Sequence, residues 1–353
     1  MAYAMLAGLP PQYGLYCCLV PLFTYGVLGT CGQVTIGPCA IVSMMCGSAL
    51  SFLDPEKDLN EYVLTMMTTS AISGIFLLTL GVFRLGFVTN ILSETVITAF
   101  TTGSAFNIAA SQLKNFWGVS TNKDSLLAIF FDIFNAKAIA AYNWYAFLVG
   151  IGSMLLLYAL KQLNSRVFPR VPLPMELFLI IVNVLLMWLF DLHDRWGLHY
   201  MGEYELHAGF APLTIPNWHH LARVIPQGVL IGTIAFVITI SMGKTFSREK
   251  GYQVDENQEL VALGSCSLLG SFFSAYPSTG SLSRSSLINN IGAQTPVNAI
   301  ISASVVLFTL YFLVDFIRYI PNACLAAIVI VNLFSLFSHV LLFLSPLTLS
   351  FAT

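Results

Sequence analysis

Charge is what this sequence has least of. It holds 15 Lys and Arg and 17 Asp and Glu in 353 residues, so 9% of the chain is charged and the net charge is −2. No long run of basic residues exists, and nucleic acid is not an expected partner. The seven cysteines (17, 18, 31, 39, 46, 266 and 324) are odd in number and lie in or beside apolar stretches. They show no metal-ligand spacing and read as small buried residues, not as a disulfide framework. There is no N-x-Ser/Thr sequon. Nothing calls for a cofactor, and an enzyme is not expected.

What fills the chain is apolar. Hydrophobic residues make up 57% of it, and the mean hydropathy is +0.79. Stretches approaching about 20 apolar residues recur, each suited to spanning roughly 30 Å of hydrocarbon. The expected fold is an all-α polytopic membrane protein embedded in a lipid bilayer. Segments are predicted at 1–8, 14–30, 38–53, 62–82, 87–112, 142–160, 174–190, 224–246, 258–275, 281–291, 297–317 and 320–345. The opening Met1–Gly8 is too short to span and reads as the tail of a first helix that begins earlier. The 191–223 connection carries five of the six histidines (193, 199, 207, 219, 220) without tight metal-ligand spacing, and reads as a solvated external loop. Arg84, the trio Lys161, Arg166 and Arg170, and the trio Lys244, Arg248 and Lys250 fall on one side, which is therefore expected to be cytoplasmic.

Two segments break the pattern, and they correspond. The third opens Gln33-Val34-Thr35-Ile36-Gly37-Pro38-Cys39-Ala40-Ile41, and the tenth opens Tyr276-Pro277-Ser278-Thr279-Gly280-Ser281-Leu282. Each is an extended, Gly/Pro-marked lead followed by a short helix. They lie seven segments apart, and an odd repeat length inverts the second copy in the membrane. Paired interrupted segments of this kind point to a transporter site. Pro38 suits a first helical turn, and Ser281 or Gly280 suits a cap. Each helix start offers free N–H groups and roughly half a positive charge. Arg284, in Ser283-Arg284-Ser285-Ser286, adds a full charge that no protein environment removes. If the two starts face each other, they form a cleft for a small anion. The plainer alternative makes both starts ordinary caps and lets Arg284 snorkel to an interface.

Other polar residues carry less. Glu94 near the start of 87–112 reads as interfacial or functional, and Lys244 as a cytoplasmic-end anchor. Tyr3 alone is filler. The segment 224–246 has no carboxylate, which argues against coupling to sodium or protons there.

These residues also carry a resemblance. The run Ala2-Tyr3-Ala4-Met5-Leu6-Ala7-Gly8-Leu9-Pro10-Pro11-Gln12-Tyr13-Gly14 resembles the opening of the SulP anion transporters, solute carrier family 26 in animals. Val34–Ile41, Gly251–Leu260 and Ser274–Arg284 are similar to further motifs of that family, in the same order. Pro10-Pro11-Gln12-Tyr13, the Tyr-Pro-x-Thr-Gly-Ser run and Tyr319-Ile320-Pro321 lean toward its sodium-independent sulfate branch, whereas Gly243-Lys244 and Gly251-Tyr252 also fit its chloride/bicarbonate branch. The resemblance covers about residues 1–335. It implies two inverted seven-segment repeats divided into core and gate, a homodimer, and alternating-access exchange of small inorganic anions such as sulfate, chloride, bicarbonate or oxalate. It places Tyr3, Pro38, Cys39, Ala40, Ser281, Leu282, Ser283 and Arg284 around the anion. Family members commonly have a larger or hydroxylic residue where Cys39 stands, and the sulfate-carrying ones have a glutamate near Ile238. On this reading residues 1–345 are a transport domain of about twelve of fourteen segments, 346–353 is a divergent tail, and the family's STAS domain is not in the sequence. The implied location is the plasma membrane or an endomembrane. An anion-gated motor or channel and an inactive regulatory subunit stay open beside the transporter. A nucleobase carrier is disfavoured by Arg284.

Overall fold

The computed structural model describes residues 1–55, 57–86, 106, 109, 112–113, 116–117, 142–167, 173–203, 206 and 208–332; the side chains of 165 and 283 are not described. Glu94, most of the 87–112 segment and the 346–353 tail therefore lie outside the described residues. In chain order the elements are α1 (Ala2–Leu6), α2 (Gln12–Tyr16), α3 (Val20–Leu28), β1 (Ile36–Gly37), α4 (Ala40–Ala49), α5 (Leu59–Val82), α6 (Trp144–Val167), α7 (Met175–Phe190), α8 (Leu192–Trp196), a 3-10 turn (Met201–Glu203), α9 (Leu221–Lys250), α10 (Glu256–Phe272), β2 (Thr279–Gly280), α11 (Leu282–Ile291), α12 (Val297–Phe312), α13 (Val314–Ile317) and α14 (Asn322–Asn332). Among the described residues, α5, the Trp144–Asn164 part of α6, and α9 are long and apolar enough to cross a membrane. The expected 14–30 segment is two helices, broken between Tyr16 and Val20.

The chain divides into two compact units. One comprises Tyr3–Ser93 and Glu205–Val314, the other Glu94–Tyr204 and Asp315–Thr353. In the first, caps written in the sequence set the helix ends. Asp58 accepts from the Glu61 amide (2.9 Å) at the start of α5, and Asp255 accepts from the amides of Asn257 (2.9 Å) and Gln258 (3.1 Å) at the start of α10. Gly251 (φ 75°) and Gly292 (φ 86°) close α9 and α11 in the left-handed conformation glycine favours. α5 packs closely on α10. A Cβ at Gly74 would lie 2.5 Å from the Leu268 nitrogen, and one at Gly264 would lie 2.7 Å from the Leu78 nitrogen. Small residues thus let two backbones touch, the usual device where lipid supplies no hydrophobic drive between helices. Ser70 adds a hydroxyl bond of 3.0 Å to the Ser267 carbonyl.

In the second unit α6 and α7 meet through buried polar groups. Ser153 Oγ donates to Asn183 Oδ1 (3.1 Å), and Asn183 Nδ2 donates to the Leu179 carbonyl (3.0 Å). Lys161 pairs with Glu176 at 2.9 Å. Leu148, Leu155, Trp188 and Leu189 on the same helices are each more than 60% exposed, as expected of faces that meet lipid tails and not water.

Candidate anion site

The two interrupted leads meet. Pro277, Gly280, Gly37 and Pro38 forbid continuous helix there, and the β-branched Val34-Thr35-Ile36 favours extended chain. Each lead contributes two residues to one antiparallel pair, with Ile36 opposite Gly280 and Gly37 opposite Thr279. Ser281 N donates to the Thr35 carbonyl (3.1 Å), and Thr35 N donates to Ser285 Oγ (2.9 Å). Thr239 on α9 latches β2: its hydroxyl accepts from Gly280 N (2.9 Å), meets Thr279 Oγ1 (3.0 Å) and donates to the Ala235 carbonyl (2.7 Å). Tyr276 ties the second lead to α4 through Ser43 Oγ (3.0 Å). These bonds satisfy polar backbone of both leads inside protein, as membrane depth demands.

Because the strands are antiparallel and each runs almost directly into a helix, α4 and α11 begin side by side and leave in opposite directions. Cys39 and Ser281 are the caps, both extended, and neither side chain makes a capping bond. The first intrahelical bonds come from Ser43 N to Cys39 O and Ser285 N to Ser281 O, each 2.9 Å. The amides of Ala40–Val42 and Leu282–Arg284 thus lie ahead of the first bonded turn. Pro38 is not in the first turn as expected; it precedes the cap, because Cys39 takes the extended conformation and the helix starts at Ala40.

Arg284 is the third residue of α11, in its first turn. Its Nη1 donates to the Pro38 carbonyl across the crossing at 3.2 Å. Nε and Nη2 are buried with no hydrogen-bond partner among the described residues, and no acidic side chain there pairs with it. A Cβ at Gly37 would stand 2.7 Å from Nη2, so glycine at 37 is what admits the guanidinium. Each buried unsatisfied donor costs about 1–3 kcal/mol, more for a charged group. A fixed positive charge, two facing helix starts and unpartnered donors make a place where negative charge is stabilised.

The remaining expected residues fall as follows. Pro38, Ala40 and Ser281 are buried, Cys39 is half-buried, and Leu282 is 45% exposed. Ser283 lies on α11, its side chain outside the description. Tyr3 is half-buried on α1, whose end packs on α4 where a Cβ at Gly47 would lie 2.8 Å from the Leu6 carbonyl oxygen. Thr239, Ser285 and Tyr276 were not singled out from sequence. Thr239 and Ser285 looked like ordinary hydroxyls in apolar or serine-rich runs. Of the described histidines, His199 bonds Glu203 (2.9 Å) and His220 bonds Glu61 (3.0 Å); no metal-holding group exists among the described residues.

Residues 1–347 match the sulfate permease family. The chain belongs to that family. Sulfate transporter 1.2 of Arabidopsis thaliana is 36% identical over 339 residues, covering 94% of this chain and 51% of the relative. Prestin of Mus musculus is 33% identical over 359 residues, covering 96% of this chain and 48% of the relative. The murine Solute Carrier 26 family member A9 anion transporter, solved in an inward-facing state, matches with a TM-score of 0.87 at 28% identity, over 94% of this chain and 57% of that one. The transmembrane domain of the cyanobacterial bicarbonate transporter BicA shares the fold, with a TM-score of 0.83 at 17% identity over 95% of this chain and 83% of that one. This sulfate permease family chain spans about half the length of the curated relatives it matches. It is a multi-pass membrane protein of the transporter fold shared by those structures.

Proposed function

We propose that the protein is a secondary transporter that exchanges small inorganic anions, sulfate first, with chloride, bicarbonate or oxalate as counter-ion, by alternating access. The observation that carries this is Arg284 at the crossing: two buried donors without hydrogen-bond partners among the described residues, beside two helix starts whose cap side chains make no capping bond. Tyr3, Pro38, Cys39, Ala40, Ser281, Leu282 and Ser283 surround the same crossing in this reading. All belong to the first unit, so anion and site travel as one body. The sulfate transporters and the A9 anion transporter among its relatives support the substrate class. Homodimeric assembly rests on the family resemblance alone.

The test is uptake of labelled sulfate into vesicles holding the purified protein, with and without internal chloride, beside anion binding measured on the same preparation. Arg284→Ala is expected to weaken sulfate and chloride binding by roughly ten- to a hundredfold, the worth of a charge-assisted contact. Unchanged affinities in a folded R284A protein would remove Arg284 from the site. Uptake that ignores internal chloride would refute chloride as the counter-ion, and uptake that ignores internal chloride, bicarbonate and oxalate alike would refute exchange.

A further inference from the structure

We propose that Glu259 is the positioning residue of the α4 half of the cleft, a role that rests on the anion-site reading above. Glu259 is the fourth residue of α10 and only 1% exposed. Among the described residues it forms no ion pair. Four donors take the place of a cation. Thr30 Oγ1 lies 2.6 Å and Thr30 N 2.7 Å from Oε1, Cys31 N lies 3.1 Å from it, and Tyr25 Oη donates to Oε2 at 3.0 Å. The neighbouring Gln258 donates to the Leu28 carbonyl at 2.8 Å. The Thr30 and Cys31 contacts grip the short stretch between α3 and β1, and those to Tyr25 and Leu28 hold the last turn of α3 that leads into it.

That stretch is held from its other side as well. Gln33 Nε2 donates to the carbonyl of Ala293, just beyond the end of α11 (2.7 Å), and Asn298 Nδ2, at the start of α12, donates to the Gly32 carbonyl (2.6 Å). Residues 28–33 therefore tie α10 to the chain that follows one half-site and lead directly into the strand that opens the other. An isolated buried carboxylate is strongly disfavoured, and these hydrogen bonds are what make it tolerable. The carboxylate in turn fixes where β1 starts. A carboxamide keeps one oxygen for the Thr30 and Cys31 donors, turns its NH₂ toward Tyr25 Oη and gives up the charge that strengthens these bonds, so the hold on the lead weakens and the lead can shift. A shifted β1 carries Gly37, Pro38 and Cys39 away from Arg284.

The experiment compares sulfate and chloride binding to wild type, Glu259→Gln, Glu259→Asp, Thr30→Val and Arg284→Ala, reading dissociation constant and binding capacity separately. Loss of folded protein lowers capacity alone; misplacement of the half-site raises the dissociation constant of protein that still binds. Glu259→Gln is expected to raise the constant for both anions roughly tenfold. Glu259→Asp, which keeps the charge, should recover part of that. Thr30→Val, which removes one donor and keeps the backbone, should give a several-fold rise even if Glu259→Gln does not fold. Wild-type constants in Glu259→Gln or, if that variant yields no protein, in Thr30→Val overturn the proposal while leaving the anion site standing, provided Arg284→Ala is weakened. Normal binding by Arg284→Ala overturns both.

Discussion

Gly37→Ala is the sharpest probe of the crossing, because it adds one carbon where the guanidinium sits. The added Cβ would stand 2.7 Å from Arg284 Nη2, 3.4 Å from Cζ and 3.1 Å from Cys18 Sγ. Gly37 does not adopt the positive φ that would make alanine strained, so the backbone tolerates the change. The nearest obstacle is the far end of a flexible side chain, which can give way. Ordinary non-bonded contact begins near 3.5 Å, so the guanidinium must retreat by roughly 1 Å. A retreat of that size lengthens the 3.2 Å bond to the Pro38 carbonyl beyond hydrogen-bonding range. It also withdraws Nη2 from any anion held between the helix starts. Losing one charge-assisted contact is worth about 1.5–3 kcal/mol, or roughly ten- to a hundredfold in affinity. The assay is isothermal titration of purified wild type and variant with sulfate and with chloride, alongside a thermal melt of each. The expected outcome is affinity reduced to that degree in a protein that still folds, with a melting temperature lowered modestly by the lost bond to Pro38. Wild-type affinity in a G37A protein of normal stability would show that the position of Arg284 does not govern binding, and would refute the reasoning.

Two more outcomes follow from the same geometry. Thr239→Val should leave Gly280 N–H buried without its acceptor and destabilise the protein by about 1–3 kcal/mol; Thr239→Ser should restore it, and a melt in which the valine variant matches wild type would deny the latch. Sulfate uptake should persist when external sodium is replaced by an inert cation, since 224–246 carries no carboxylate; an uptake that stops would place a coupling site elsewhere.

What could be read in advance was local. Glycine and proline interrupt two apolar runs at matching places, so both leads and both short helices were visible as breaks in hydropathy. Arg284 stood out because so few charges surround it. The pairing of the leads was only a conditional: antiparallel contact between Ile36 and Gly280 joins residues more than two hundred positions apart, and no local propensity encodes a partner at that distance. Pro38 shows the limit at finer grain. Its fixed φ fits a first helical turn and an extended lead equally well, and here the extended Cys39 that follows leaves Pro38 in the lead, with its carbonyl bonded to Arg284.

Glu259 shows a different limit. In sequence it was one letter of Gly251–Leu260, a carboxylate at the first turn of a capped helix, where an exposed acidic residue is commonplace. Its burial follows from α3, whose Tyr25 and trailing Thr30 and Cys31 bring four donors to one carboxylate. Those donors look apolar or incidental by composition, since two of the four are backbone amides that every residue carries. A buried acid is therefore legible only when the chain that satisfies it is in place. In a membrane protein with so few charges, the acids and bases that survive at depth mark where the backbone must be held most firmly. Here two such groups, Arg284 at the crossing and Glu259 behind its lead, act on the same stretch of chain from Leu28 to Pro38.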